Sequence, residues 1–271
     1  MSWNFELVAG PYGSPTDGPV WVGETLLFTQ LATPASVAEN RILRYDPQTG
    51  EVTDFRRWTN RTAGLAFANG TLYGCQSGSR RVIRFNADGS TSPLANKVDG
   101  KYHNQPKDLV VDSLGHIWFC DPVWGPPVQG GLRAHELEPM SVNYAAVLRM
   151  ESPNRDSPIK RMTLDTSSPT SVLLSRDERT LYVSENDEDE RGNRELRAYA
   201  IEDDGSLGAY TVLHAFGADH TGVHRGVSGM CLDSDGNVVA CAGWDRAGPG
   251  PLIYVFSSEG RVLETQNVPS I

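Results

Sequence analysis

The chain is poor in positive charge: 24 Lys and Arg stand against 34 Asp and Glu, giving a net charge of −10 and a pI near 5.1. That balance argues against nucleic acid or an anionic membrane as a partner, and no basic block offsets it locally. No apolar run approaches the roughly 18 residues of a membrane helix. The N-terminal MSWNFELVAGPYG has no charged leader followed by an apolar stretch, so the expectation is a cytoplasmic protein without a secretory signal. Cysteine is sparse. Cys75, Cys120, Cys231 and Cys241 lack the close pairing of a zinc knuckle and are expected to be buried, reduced thiols. There is no Gly-X-Ser-X-Gly elbow and no dinucleotide fingerprint, and the prolines of GWDRAGPGP block the helix that a phosphate loop requires.

What the chain does have is a repeat. A turn, a small apolar strand, another turn and a second strand ending in a polar group recur from Asp17 (DGPVWVGETLLFTQ), Ala63 (AGLAFANGTLYGCQ), Lys107 (KDLVVDSLGHIWFCD), Thr170 (TSVLLSRDERTLYVSE) and Ser228 (SGMCLDSDGNVVACA). The starts lie 44 to 63 residues apart, the spacing of propeller blades with insertions. Each copy runs on into an alternating apolar/polar hairpin around DPQTG, NADG, DDGS or SSEG, which reads as antiparallel strands with one buried face. The 27 glycines and 17 prolines fit such a turn-rich chain. The expectation is a single all-β domain over residues 1–271, a six-bladed β-propeller of four-stranded antiparallel blades. FELVAGP at the start reads as a lone strand completing a last blade whose inner strands this chain does not supply, as in a piece of a longer protein. Inner-strand starts of successive blades converge on one axis, so Asp17, Ala63, Lys107, Thr170 and Ser228 mark the address of a pocket.

The blocks DGPVW, NQPKDLVVDSLGHIWFCDPVWG, LLSRDERTLYVSE, HRGVSGMCLDSDGN and GWDRAGPGPLIYVFSSEGRVLET resemble the gluconolactonase/regucalcin family of six-bladed propellers, over nearly the whole chain. The resemblance implies a hydrolase of small lactones or related cyclic esters. It also implies one axial divalent cation (Ca, Mg, Zn or Mn), held by a Glu of the first inner strand, an Asn of a Pro-Asn-Gly turn and an Asp of an Asp-Gly turn. A further Asn from a Pro-Asn-Asp segment lies near metal or substrate. Carried onto this chain, these positions are Asp17, Thr170, Ser228 and Lys107, and a second Asn-Gly often seen in relatives falls at Ala63. All five depart from the pattern.

A hard dication needs several oxygen ligands, usually including carboxylates. Hydroxyls at Thr170 and Ser228, and an ammonium at Lys107, supply that poorly, so the expectation is a site without a cofactor, Asp17 being the ligand if a metal is retained. Lys107 then stands in for the cation, paired with Asp17 or Asp108, polarising a carbonyl or serving as a base or amine nucleophile. Asp121 and Glu185, each ending a second strand, are candidate bases for water. His103, Asn104, Trp124, Thr170 and Ser228 are candidate substrate contacts. His103, His220 and His224 form a conceivable replacement metal set, while Trp21 and Trp118 read as packing between blades. The partner is expected to be a small molecule. Against the hydrolase stand a non-catalytic or repurposed binding propeller and a metal-independent lyase or isomerase.

Overall fold

The computed structural model describes residues 3–33, 39–123, 142–187 and 189–269. Five four-stranded antiparallel sheets, each with its strands in chain order, are present among them. The first comprises Thr16–Val22, Thr25–Gln30, Arg41–Asp46 and Glu51–Arg57. The second comprises Thr62–Ala68, Thr71–Gln76, Arg81–Phe85 and Thr91–Pro93, and the third Leu109–Val111, Ile117–Asp121, Ala146–Met150 and Ile159–Arg161. The fourth runs Pro169–Leu174, Thr180–Asn186, Arg194–Ile201 and Leu207–Ala215, and the fifth Val227–Leu232, Val238–Ala242, Leu252–Phe256 and Val262–Asn267. This is the blade architecture of an all-β propeller.

The described residues hold five blades where the sequence led us to expect six. Residues 3–15 carry no strand. The apolar side chains of that segment stay half exposed, Leu7 at 51% and Val8 at 50%, and in place of a ladder the Tyr12 and Pro15 carbonyls accept from Gln30 Nε2 and the Leu31 N–H.

By contacts the chain divides into two compact units. One unit comprises Glu6–Tyr144 and Leu148–Arg161; the other comprises Met1–Phe5, Ala145–Val147 and Met162–Ile271. In the first, alternate residues of blades one and two pool into a core of Leu27, Ile42, Leu65, Leu72, Ile83 and Phe85. In the second, Tyr182, Leu196, Phe216, Val227, Val238, Tyr254 and Phe256 do the same for blades four and five. Each such side chain contributes roughly 1.5–3 kcal/mol on burial. The aspartates of the blade turns explain why those turns are legible: Asp46, Asp88, Asp177, Asp204 and Asp233 each accept a hydrogen bond from the backbone N–H two residues on, the Asx turn that closes a hairpin.

Packing departs from expectation at three side chains. Cys75 and Cys120 are buried, but Cys231 and Cys241 are exposed, because they alternate onto the face of blade five opposite its core. Trp118 is buried, with the Arg149 guanidinium 4.9 Å above its ring. Trp21, paired with Leu26, points outward and is 57% exposed.

Candidate active site

In the unit that carries Lys107, the starts of three inner strands are pressed together by glycines. Gly18 has φ +54°, and a Cβ on it would lie 2.3 Å from the Ala63 carbonyl oxygen. A Cβ on Gly64 would lie 2.6 Å from the Lys107 carbonyl oxygen, to which the Gly64 N–H donates at 2.7 Å. Thr29 Oγ1 clamps the same level, bonding the carbonyls of Asp17 (3.0 Å) and Ala63 (3.1 Å). Only glycine permits this approach, and its consequence is that residues 90 positions apart meet. Lys107 Nζ lies 3.5 Å from Asp17 Oδ2, with the lysine side chain 12% and the aspartate 28% exposed. Asp17 Oδ1 accepts the Gly18 N–H at 2.8 Å. Asp108 Oδ1 accepts the Leu109 N–H at 2.9 Å and sits against Gly64.

The polar residues that end the second strands have a common task. Gln30 Nε2 donates to the Tyr12 carbonyl, and Gln76 Nε2 to the Thr59 carbonyl, each at 3.2 Å. Asp121 Oδ2 accepts the Asn104 N–H at 2.8 Å. In the other unit, Glu185 Oε1 accepts from the Ser167 N–H and hydroxyl, both at 2.7 Å, and from the Ser168 N–H. In every case the side chain pins the segment leading into the inner strand of its own blade. Asp121 and Glu185, 1% and 0% exposed, thus occupy the place that blades one and two fill with glutamine. Burial raises both carboxyls, Asp121 to about 7, against the lowering effect of their amide hydrogen bonds. Glu185 Oε2 is 3.8 Å from the fully buried Arg197.

Asn104 is held as firmly. Its Nδ2 donates to the carbonyls of Asp121 (3.3 Å) and Tyr144 (2.8 Å). His103, expected as a substrate contact, is fully buried, with Nε2 3.3 Å from the Ala95 carbonyl and its ring edge-on to Phe119. Desolvation lowers it to about 4, so the imidazole is neutral. Arg80, which the sequence reading passed over, binds this segment: its guanidinium donates to the carbonyls of His103 and Asn104. A basic residue after the SGS turn was the signal, but its φ of +55° was not foreseeable. Trp124 lies outside the described residues.

In the second unit Thr170 is 4% exposed. Its hydroxyl bonds Ser184 Oγ and the Val227 carbonyl, both at 3.2 Å. Ser184 Oγ donates to the same carbonyl at 2.5 Å, the counterpart of Thr29 in blade one. Ser228 is half-buried in Val227–Leu232. His224 Nε2 faces Asp219 Oδ2 at 3.2 Å. Among the described residues no three His, Cys, Asp or Glu side chains are grouped to hold a metal ion. Of the donors at the expected positions, the Asp17 carboxylate faces the Lys107 ammonium, and the Thr170 hydroxyl bonds Ser184 and the Val227 carbonyl.

Four-stranded antiparallel blades, with inner strands clamped by glycine and a Lys107–Asp17 pair at their starts, define the chain as an all-β propeller. Residues 15–271 match the family model described as SMP-30/Gluconolactonase/LRE-like region, and the chain belongs to that family. It is 27% identical over 267 residues to the gluconolactonase of Zymomonas mobilis, covering 92% of this chain and 68% of that one. A solved gluconolactonase of Xanthomonas campestris is 30% identical, with a TM-score of 0.69 over 92% of this chain and 75% of its own. The calcium-binding regucalcin of Agrobacterium tumefaciens shares the fold at 14% identity, with a TM-score of 0.64 over 94% of this chain and 74% of its own.

Proposed function

We propose that this chain is a lactonase-type hydrolase of small lactones or related cyclic esters, in which the Lys107 ammonium takes the place of the family's axial cation. Family membership supports lactonase chemistry in general. The observation that carries the finer reading is the largely buried ammonium 3.5 Å from Asp17. In this mechanism Lys107 donates to the lactone carbonyl oxygen and stabilises the oxyanion that forms as water adds to the carbonyl carbon. Asp17, the more exposed partner, accepts the proton of the attacking water. Collapse of the tetrahedral intermediate expels the ring oxygen, which takes a proton to give the open hydroxy acid. Asp108, next to Lys107, caps the Leu109 N–H at the start of the inner strand. Asp121 and Glu185 hold the strand entries rather than meet substrate.

The test is hydrolysis of glucono-δ-lactone and γ-butyrolactone, with and without a chelator, by the wild type and by Lys107→Met. Expected is activity that survives chelation and falls at least 100-fold in the variant, about 2.7 kcal/mol of transition-state stabilisation. Activity lost on chelation and restored by a divalent cation would sink the ammonium reading and leave the lactonase reading standing. No hydrolysis under any condition would favour the binding propeller, a reading supported by the internal hydrogen bonds that occupy Thr170, Asn104 and Glu185.

A further inference from the structure

A polar cavity of about 500 Å³ opens in the unit that carries Lys107, sharing no lining residue with the Lys107–Asp17 pair. Its floor is Leu94 and Ala95, where the chain leaves blade two, and its walls carry Arg81, Lys97 and Arg155. Arg81 sits on the third strand of blade two, with Nε donating to Gln76 Oε1 at 3.0 Å. Lys97 lies over the Tyr102 ring at 4.6 Å. Arg155 lies in the turn between the two outer strands of blade three. None of the three forms an ion pair among the described residues. In a chain where acids outnumber bases 34 to 24, three cations around one cavity without a carboxylate partner run against the composition. Their mutual repulsion is relieved by a bound anion, most fully by a dianion.

The rest of the lining narrows the anion. Asp156 is the one carboxylate, and Asn96 presents a side-chain amide that makes no hydrogen bond among the described residues. A carboxylate repels a bare anion but accepts from hydroxyl groups. We propose that this cavity binds a small phosphorylated polyol or sugar, the phosphate held by Arg81, Lys97 and Arg155 and the hydroxyls by Asp156 and Asn96. Lys97 and Arg155 are exposed, so exchanging them spares the core.

Calorimetric titration with glycerol 3-phosphate, inorganic phosphate and glycerol at low ionic strength tests this. Expected is one glycerol 3-phosphate per chain, bound more tightly than inorganic phosphate and more weakly as salt rises, with no binding of glycerol. The double variant Lys97→Ala/Arg155→Ala should bind at least 10-fold more weakly at an unchanged melting temperature, while Lys107→Met binds as the wild type does. Absence of binding at millimolar concentration, or an affinity unmoved by the double variant, overturns the site. Loss of binding in Lys107→Met instead assigns the phosphate to the lactone site and also overturns it. Equal affinity for inorganic phosphate overturns the polyol assignment.

Discussion

Replacing Asp121 by asparagine should make the protein's stability less sensitive to alkali. Asp121 is 1% exposed; its Oδ2 accepts the Asn104 N–H, and its Oδ1 has no hydrogen-bond partner. Burial lifts the carboxyl from its ordinary 3.8 to about 7. Between those values the folded chain holds a proton that the unfolded chain has released. The contribution of Asp121 is therefore fully present below pH ~4 and is lost as pH rises to ~7. At 1.36 kcal/mol per pH unit the whole loss is about 4 kcal/mol, of which roughly 2–3 falls between pH 5 and pH 7. Asparagine keeps the acceptor for Asn104 but leaves an amide N–H₂ where Oδ1 stood. That costs about 1–3 kcal/mol at every pH. The quantity to measure is thus the change with pH. Urea unfolding of both proteins at pH 5 and pH 8 should show the variant gaining about 2–3 kcal/mol on the wild type. An equal difference at the two pH values would refute the buried-carboxylate argument, since Asp121 would then ionise as it does in the unfolded chain.

Four further outcomes follow from the packing. Gly64→Ala places a methyl 2.6 Å from the Lys107 carbonyl oxygen and should lower stability by about 2–4 kcal/mol in urea unfolding. Gly229→Ala, where a Cβ meets nothing within 4 Å, should stay within about 0.5 kcal/mol of the wild type. Ser184→Ala removes the 2.5 Å bond to the Val227 carbonyl and should cost about 1–2 kcal/mol, with Ser184→Thr recovering part of it, by the same assay. Arg197→Leu leaves the fully buried Glu185 without its cation and breaks the bonds to Glu195 and the Asp165 carbonyl; a loss of about 3–5 kcal/mol is expected in urea unfolding.

Strand starts were legible because the repeat is written in local chemistry. The inner strands begin at Thr16, Thr62, Pro169 and Val227, within one residue of the repeat starts, and at Leu109, two residues past Lys107. The turns between them follow from aspartates that cap their own loops. The duties of the polar side chains were not local. Nothing around Asp121 says that its partner is an amide 17 residues earlier, or that Glu185 will meet Ser167 and Ser168. The cue was the comparison among repeats: Gln30 and Gln76 stand where Asp121 and Glu185 stand, and a position that accepts glutamine in two blades serves hydrogen bonding before it serves acid–base chemistry. The penultimate positions tell the same story. Thr29 and Ser184 clamp the next strand start with a hydroxyl, and Cys75 and Cys120 fill the equivalent sites as buried thiols. His103 illustrates the converse. Its place just before an inner strand suggested the pocket, but the Ala95 carbonyl and the Phe119 ring enclose it.

On the proposed reading, metal and ammonium are alternatives beside Asp17 rather than partners. At 3.5 Å the pair attracts with about 5 kcal/mol at an effective dielectric of 20, before desolvation is subtracted. A dication about 4 Å from the same ammonium would meet a repulsion of roughly 8 kcal/mol on that scale and would compete with Lys107 for the one carboxylate. An ammonium can polarise a carbonyl but coordinates nothing. A site built on Lys107 therefore keeps the oxyanion-stabilising part of lactone hydrolysis and gives up the acidification of water that a metal provides. The general base becomes indispensable under that exchange. This is why Asp17, half open beside a lysine that is nearly closed off, is the residue on which the proposed chemistry turns.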